Sequence, residues 1–436
     1  MTHEEKYIDT YREFLKLRTV SAEHREIRET AHFLRDLLDS NRFHSQILET
    51  DGHPVVYGSM DMGKPRTLLV YNHYDVQPVD PIDEWESDPF SAAIRDGRIY
   101  ARGSSDNKGT LIARLFGIIN SVKQGKINVN LKFLYEGEEE IGSPSLENFV
   151  NGNRELLKSE AVIMEGSSLG EDGRPVISLG VKGLAYVELE EEISRSDMHS
   201  SFAAIAPNAA WNLVNQLSRL NENGHVLIPG FYDDIRPLSE QEEKMLEQYP
   251  FREESFKGSF GLRYLNYEGR DNLVRSLFCN PTFNIDGIIS GYTGEGSKTV
   301  TPRKAMAKVD FRLVPDQDPN KIYRSFMEAL KSNGFNGTVK HLGLEYPVRT
   351  PLDSPISQAM IESARITYNK EPIVMINSPG TQPMALFTRN LGIKEAVSAI
   401  GVGDQRSGAH APNESVSIDN FYLAVRHTEK FLDTFR

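Results

Sequence analysis

T67-L-L-V-Y-N-H-Y-D75 changes character in its middle. Thr67 to Tyr71 reads as a buried strand, and a histidine and an aspartate follow at once. The same break recurs twice. N130-L-K-F-L134 runs into Y135-E-G-E-E-E-I-G-S143, and A161-V-I-M164 runs into Glu165. Between the first two lies K108-G-T-L-I-A-R-L-F-G-I-I-N-S-V-K123, whose Leu111, Ile112, Leu115, Ile119 and Val122 share a helical face. Short buried strands alternating with helices predict an α/β sheet. In such sheets ligands gather outside the carboxyl ends of the strands, where these polar residues would meet.

The pattern holds over residues 1–180 and changes after that. V181-K-G-L-A-Y-V-E-L-E-E-E192 and A305-M-A-K-V-D-F-R-L-V314 alternate like half-exposed strands. Helical segments follow them, near Ala209 to Leu220 and Asn320 to Asn333. Paired β-then-α units predict a small α+β domain over 181–345, inserted in the larger one. The buried pattern returns over 346–436, with E395-A-V-S-A-I-G401 and a final helix from Ile418 to Leu432.

Composition narrows the class. The 436 residues are 25% charged and 39% hydrophobic, which suits a globular chain of more than one domain. The net charge of -13 argues against a nucleic-acid partner. Cys279 is the only cysteine, so neither an intrachain disulfide nor a thiolate metal cluster is available. M1-T-H-E-E-K-Y-I-D-T-Y-R-E-F-L-K-L-R18 lacks the apolar core of a signal peptide, and Tyr7, Tyr11, Phe14 and Leu15 fall on one helical face. No run reaches the length of a membrane span, and a cytoplasmic protein without a membrane partner is expected.

Three adjacent glutamates near a core lose hydration and repel one another. Two histidines and several carboxylates gathered without cysteine suit one or two divalent metals, which turn that crowding into ligation. His73 and Asp75, two apart, could face the same way, with Asp75 holding the imidazole. Taken singly each piece has an ordinary reading. His-x-Asp is a common surface pair, Asp106 in G103-S-S-D-N-K-G109 suits a helix N-cap, and a glutamate triplet suits a solvated charge run.

Together, N72-H-Y-D-V-Q-P78, W85-E-S-D-P-F90, A101-R-G-S-S-D-N-K-G109, E136-G-E-E-E-I-G-S143, D197-M-H-S200 and G408-A-H-A-P-N-E414 resemble the two-metal peptidase family of aminoacylases, glutamate carboxypeptidases and carnosine-type dipeptidases. V226-L-I-P-G-F-Y-D-D234 and N280-P-T-F-N-I-D-G287 make the carnosine-type branch the most similar. The resemblance implies a mixed-sheet α/β catalytic domain with an inserted α+β lid that forms a homodimer. It implies two divalent ions, zinc first with manganese or cobalt possible, Asp106 bridging them. His73 and Glu165 would complete one ion, Glu140 and His410 the other.

By the same resemblance Glu139 is the general base, taking a proton from a water held between the metals, and Asp75 orients His73. Glu138 has no assigned role and is expected at the surface or in a loop. His199 is a lid histidine that reaches an active site, in some members the partner's. Arg312 clamps the substrate carboxylate, and Thr299 and Thr381 sit at substrate contacts. The Asp106–Asn107 bond is expected to be cis. The implied reaction is hydrolysis of dipeptides or short peptides with a free C-terminus, with N-acyl-amino-acid deacylation as the alternative and a non-catalytic, metal-bound peptide-binding protein as the third reading. Trp85 suits packing as well as a substrate wall. G291-Y-T-G-E-G-S-K-T299 nearly spells a phosphate-binding loop, but Ser297 separates Gly296 from Lys298 and β-type residues follow.

Overall fold

The computed structural model describes residues 3–166 and 168–436. Twelve strands build its two larger sheets: β1 (His44–Leu48), β2 (Val55–Met60), β3 (Thr67–His73), β4 (Asn130–Glu136), β5 (Ala161–Met164), β6 (Val176–Ser178), β7 (Gly183–Glu192), β8 (Thr282–Ser290), β9 (Lys304–Leu313), β10 (Thr338–Glu345), β11 (Ile373–Met375) and β12 (Glu395–Ser398). The first sheet runs β1-β2-β4-β3-β5-β12-β6-β11. Its centre is parallel, β4 with β3, β3 with β5 and β5 with β12, while β1 and β2 add on antiparallel.

This centre is covered on both faces, as parallel sheets must be. Along β3, Leu68 and Val70 join one core while Leu69 and Tyr71 join another. The first core takes in the helices Lys108–Gln124 and Ile418–Thr434 together with Tyr11, Phe14 and Leu15 of the helix His3–Lys16. Tyr11 stacks on Phe421 there at 4.9 Å between centroids.

The second sheet runs β8-β9-β7-β10, all antiparallel. Ala185, Val187 and Leu189 of β7 and Ala307, Val309 and Phe311 of β9 face its core, against the helices Ala209–Leu220 and Pro319–Ser332. Both helices start at built caps: Asn208 accepts from the amides of Ala210 and Trp211, and Asp318 from those of Asn320 and Lys321 ahead of the Pro319 turn.

Three further helices, Glu240–Gln248, Glu253–Phe260 and Arg270–Cys279, lie between them in sequence. Two of these send Met245, Leu246, Val274 and Phe278 into the core of the large sheet, so the 181–345 span also packs against that sheet. The Gly291 to Thr299 stretch is an exposed loop leading to the short strand Val300–Thr301, with no helix to bind a phosphate. No helix among the described residues is long and apolar enough to cross a membrane.

Candidate active site

The polar residues collect where the parallel strands end. His73 closes β3, Glu138, Glu139 and Glu140 follow β4, and Glu165 follows β5. Asp106 lies in the loop before the helix Lys108–Gln124, and His410 in the loop after β12. The Asp106 carboxylate joins the two histidines: Oδ1 is 3.1 Å from His73 Nε2, and Oδ2 is 3.1 Å from His410 Nε2. Glu165 Oε2 stands 3.1 Å from the same His73 nitrogen, and Glu140 Oε2 3.2 Å from that of His410. The result is two half-sites sharing one aspartate. Asp106 is therefore not the N-cap that its position alone suggests; Asn107 takes the cap place, without a side-chain bond. The Asp106–Asn107 bond is cis, and Asn72 donates to the Asn107 side chain.

The three adjacent glutamates have three different fates. Glu138, expected at the surface or in a loop, is in a loop but buried, because its carboxylate accepts from the amides of His53 at 2.9 Å and Ser145 at 3.2 Å. Glu139 lines an open cavity, its Oε2 3.9 Å from His73. Glu140 turns to His410 and accepts from Gln77 Nε2 at 3.0 Å, while its other oxygen is buried with no donor.

Asp75 holds more than an imidazole. Its two oxygens accept from the amides of Glu139 at 3.2 Å and Glu140 at 3.0 Å, which fixes the turn carrying both. The nearest acceptor to His73 Nδ1 is the Asp75 backbone carbonyl at 3.2 Å, with the carboxylate at 3.4 Å. An Nδ1–H facing those acceptors turns Nε2 towards Asp106 and Glu165.

The charges strain one another. Burial works against a charged His73, yet its bonds to Asp106, Asp75 and Glu165 prevail and raise its pKa well above the imidazole range. Bonds to Asp106 and Glu140 lift His410 to about 10. Burial, then the charge of Glu165, pushes Glu139 up to about 9. A divalent cation fits this donor set. It suits imidazole among hard oxygen ligands: donor atoms of His73, Glu139 and Glu165, and those of His73, Asp106 and Glu140, lie close enough to share an ion, which would relieve the repulsion and give the orphaned Glu140 oxygen a partner.

The loop bearing Asp106 is pinned by Glu414, a residue whose place in the chain gave no sign of this task. Wholly buried, it pairs with Arg102 at 2.9 Å and accepts from the amides of Gly103 at 2.9 Å, Ser105 at 2.7 Å and Asp106 at 3.0 Å. Arg102 in turn donates to the backbone of His410 and Ala411. The same pair thus ties one histidine loop to the bridging aspartate.

Arg312, Glu139 and Thr381 line one cavity of about 810 Å³. The Arg312 Nη1 donates to Thr381 Oγ1 at 2.9 Å, and its Nε lies 3.3 Å from Asp310. His199 and Thr299 are elsewhere and both exposed, at a two-stranded ribbon where Met198 and His199 pair with Thr301 and Val300. No hydrogen bond or ion pair among the described residues joins His199 to the cluster. Its Nδ1 accepts from the Ser201 amide at 3.1 Å, leaving the proton on Nε2. Trp85 packs: its Nε1 donates to the Val79 carbonyl, and Arg102 lies over its ring.

Imidazoles and carboxylates gathered at the ends of parallel strands are the parts of a metal-dependent hydrolase. Comparison with known proteins gives the family: peptidase family M20/M25/M40 matches residues 69–434, and the chain belongs to it, a metallopeptidase. It is similar to a Beta-Ala-His dipeptidase of Rattus norvegicus, 28% identical over 84% of this chain and 77% of the relative. A Cys-Gly metallodipeptidase of Candida albicans is 29% identical, over 84% of this chain and 78% of its own length. Among solved structures, an M20 family metallo-carboxypeptidase from Sulfolobus solfataricus is 49% identical with a TM-score of 0.95, covering 100% of this chain and 99% of its own. The carnosine-type branch is thus the one these relatives represent.

Proposed function

We propose that the protein hydrolyses the peptide bond of dipeptides and short peptides that end in a free carboxylate. The observation that carries this is Arg312 lining the same cavity as Glu139, beside its partner Thr381. Both kinds of relative, dipeptidase and carboxypeptidase, act next to a chain terminus.

His73, Asp106 and Glu165 would hold one divalent ion and Asp106, Glu140 and His410 a second, zinc being the first choice and manganese or cobalt acceptable to the same ligands. When bound, such ions polarise a carbonyl and make water acidic near neutrality. Glu139 takes the proton of the attacking water and passes it to the leaving amine. Asp75 keeps Glu139 and Glu140 in place through their amides and sets the tautomer of His73. Arg312, aligned by Thr381, binds the terminal carboxylate, bidentate where the geometry allows.

His199 presents an Nε2–H donor to solvent, suited to a developing oxyanion. We place it in the site of a second subunit, with Thr299 beside it as a substrate contact. The unpaired outer edge of β8, with Ile285, Ile288 and Ile289 about half exposed, supports a homodimer through this domain. The single cysteine suits a cytoplasmic setting.

The test is amine release from free dipeptides, their C-terminal amides and N-acetyl amino acids, using metal-loaded protein. Cleavage of free dipeptides with amides poor supports the proposal. Cleavage of acetylated substrates alone would replace it with a deacylase.

A further inference from the structure

The cavity that Glu139 lines also carries a row of side chains set by strand register. Arg312 on β9 pairs with Leu184 on β7, and Leu184 pairs in turn with Glu345 on β10. Directly opposed residues project from the same face of a sheet, so the three stand side by side. All three line the cavity, on the face away from the apolar core formed by Ala185 and Phe311. Two strand spacings put Arg312 and Glu345 roughly 10 Å apart at their Cα atoms.

Their surroundings differ. Arg312 has Thr381 and Asp310 as partners. The Glu345 side chain has no hydrogen bond or ion pair among the described residues, although it is only partly exposed and burial raises its pKa, against the charge of Arg312. A second acceptor lining the same cavity, the side-chain oxygen of Gln382, is buried without a donor. A half-buried carboxylate without donors is costly, and the cost is removed when a cationic group fills the space in front of it.

We propose that Glu345 makes this cavity selective for substrates whose C-terminal residue carries a cationic side chain, lysine or arginine. The inference rests on the peptidase reading. Arg312 holds the terminal carboxylate, and the long side chain of that same residue runs over Leu184 to Glu345. The methylenes cover the leucine and the charged end meets the carboxylate. Acidic C-terminal residues are disfavoured by the like charge.

The experiment compares kcat/KM for Ala-Lys, Ala-Leu, Ala-Glu and Lys-Ala, in the metal-loaded full chain and in its Glu345→Gln and Glu345→Lys variants. Wild type should prefer Ala-Lys over Ala-Glu. The ratio of Ala-Lys to Ala-Leu should fall roughly 10-fold or more in Glu345→Gln. Glu345→Lys should reverse the order of Ala-Lys and Ala-Glu. Ratios unchanged in both variants, or a change confined to Lys-Ala, would overturn the assignment of Glu345. A wild type that cleaves none of the four would overturn the peptidase reading and this inference with it.

Discussion

Replacing Glu414 with alanine should loosen the site without touching a proposed ligand. The wild-type carboxylate is 0% exposed and its partner Arg102 1% exposed. Removal leaves the guanidinium buried without its counter-charge and three amides, of Gly103, Ser105 and Asp106, without their acceptor. Breaking such a pair from one side costs about 3–5 kcal/mol, a large part of a typical folding free energy. The same amides hold Asp106 between the two histidines. Loss of supporting bonds of this kind weakens metal binding roughly 10- to 100-fold. The assays are the denaturant midpoint and metal retention against a competing chelator. An Arg102→Met/Glu414→Leu double variant separates the two effects. It removes the uncompensated charge and should regain stability, but it offers the amides no acceptor, so metal retention should stay weak. Wild-type stability and retention in Glu414→Ala would refute the reasoning, as would full recovery of metal retention in the double variant.

Glu139→Gln should keep its metal and lose at least about 100-fold in kcat, the scale of a lost general base; a wild-type rate would remove Glu139 from that role. His199→Ala should lose roughly 100- to 1000-fold in kcat with little change in folding. Mixed with Glu139→Gln, it should regain activity through hybrid sites, and no recovery after proven subunit exchange would place His199 within its own chain. A fourth prediction concerns pH. His427 is buried against Ser363, and burial lowers its pKa to about 3. Unfolded it titrates near 6.5, so the unfolded chain takes up the proton first. The stability that this group contributes is complete above about pH 6.5 and declines as pH falls towards 3, by about 2 kcal/mol at pH 5. His427→Gln should lose that much less stability between pH 7 and pH 5, and identical losses would contradict it.

What could be read from the chain was local. The runs Thr67 to Tyr71, Asn130 to Leu134 and Ala161 to Met164 are strands because nearly every side chain in them has a core on one face or the other. Their polar ends therefore had to meet at one edge. Strands of three residues, such as Val176–Ser178 and Ile373–Met375, carry too little pattern to be seen. The helix Glu240–Gln248 does carry a sequence signal, the Ser239 and Glu242 capping box.

The remaining features depend on distant partners. Glu138 is buried because an amide 85 residues away donates to it. Glu414 matters because its donors lie 308 to 312 residues upstream. Glu345 stands beside Arg312 only through the register of three strands.

The central claim is that this cluster works as a two-ion peptidase centre. It is tested most directly by stripping the protein and measuring free-dipeptide hydrolysis against added zinc per chain. The account predicts no activity in the stripped protein and a rise that levels off at two ions per chain. Full activity without metal, or saturation with no more than one ion bound, would contradict it.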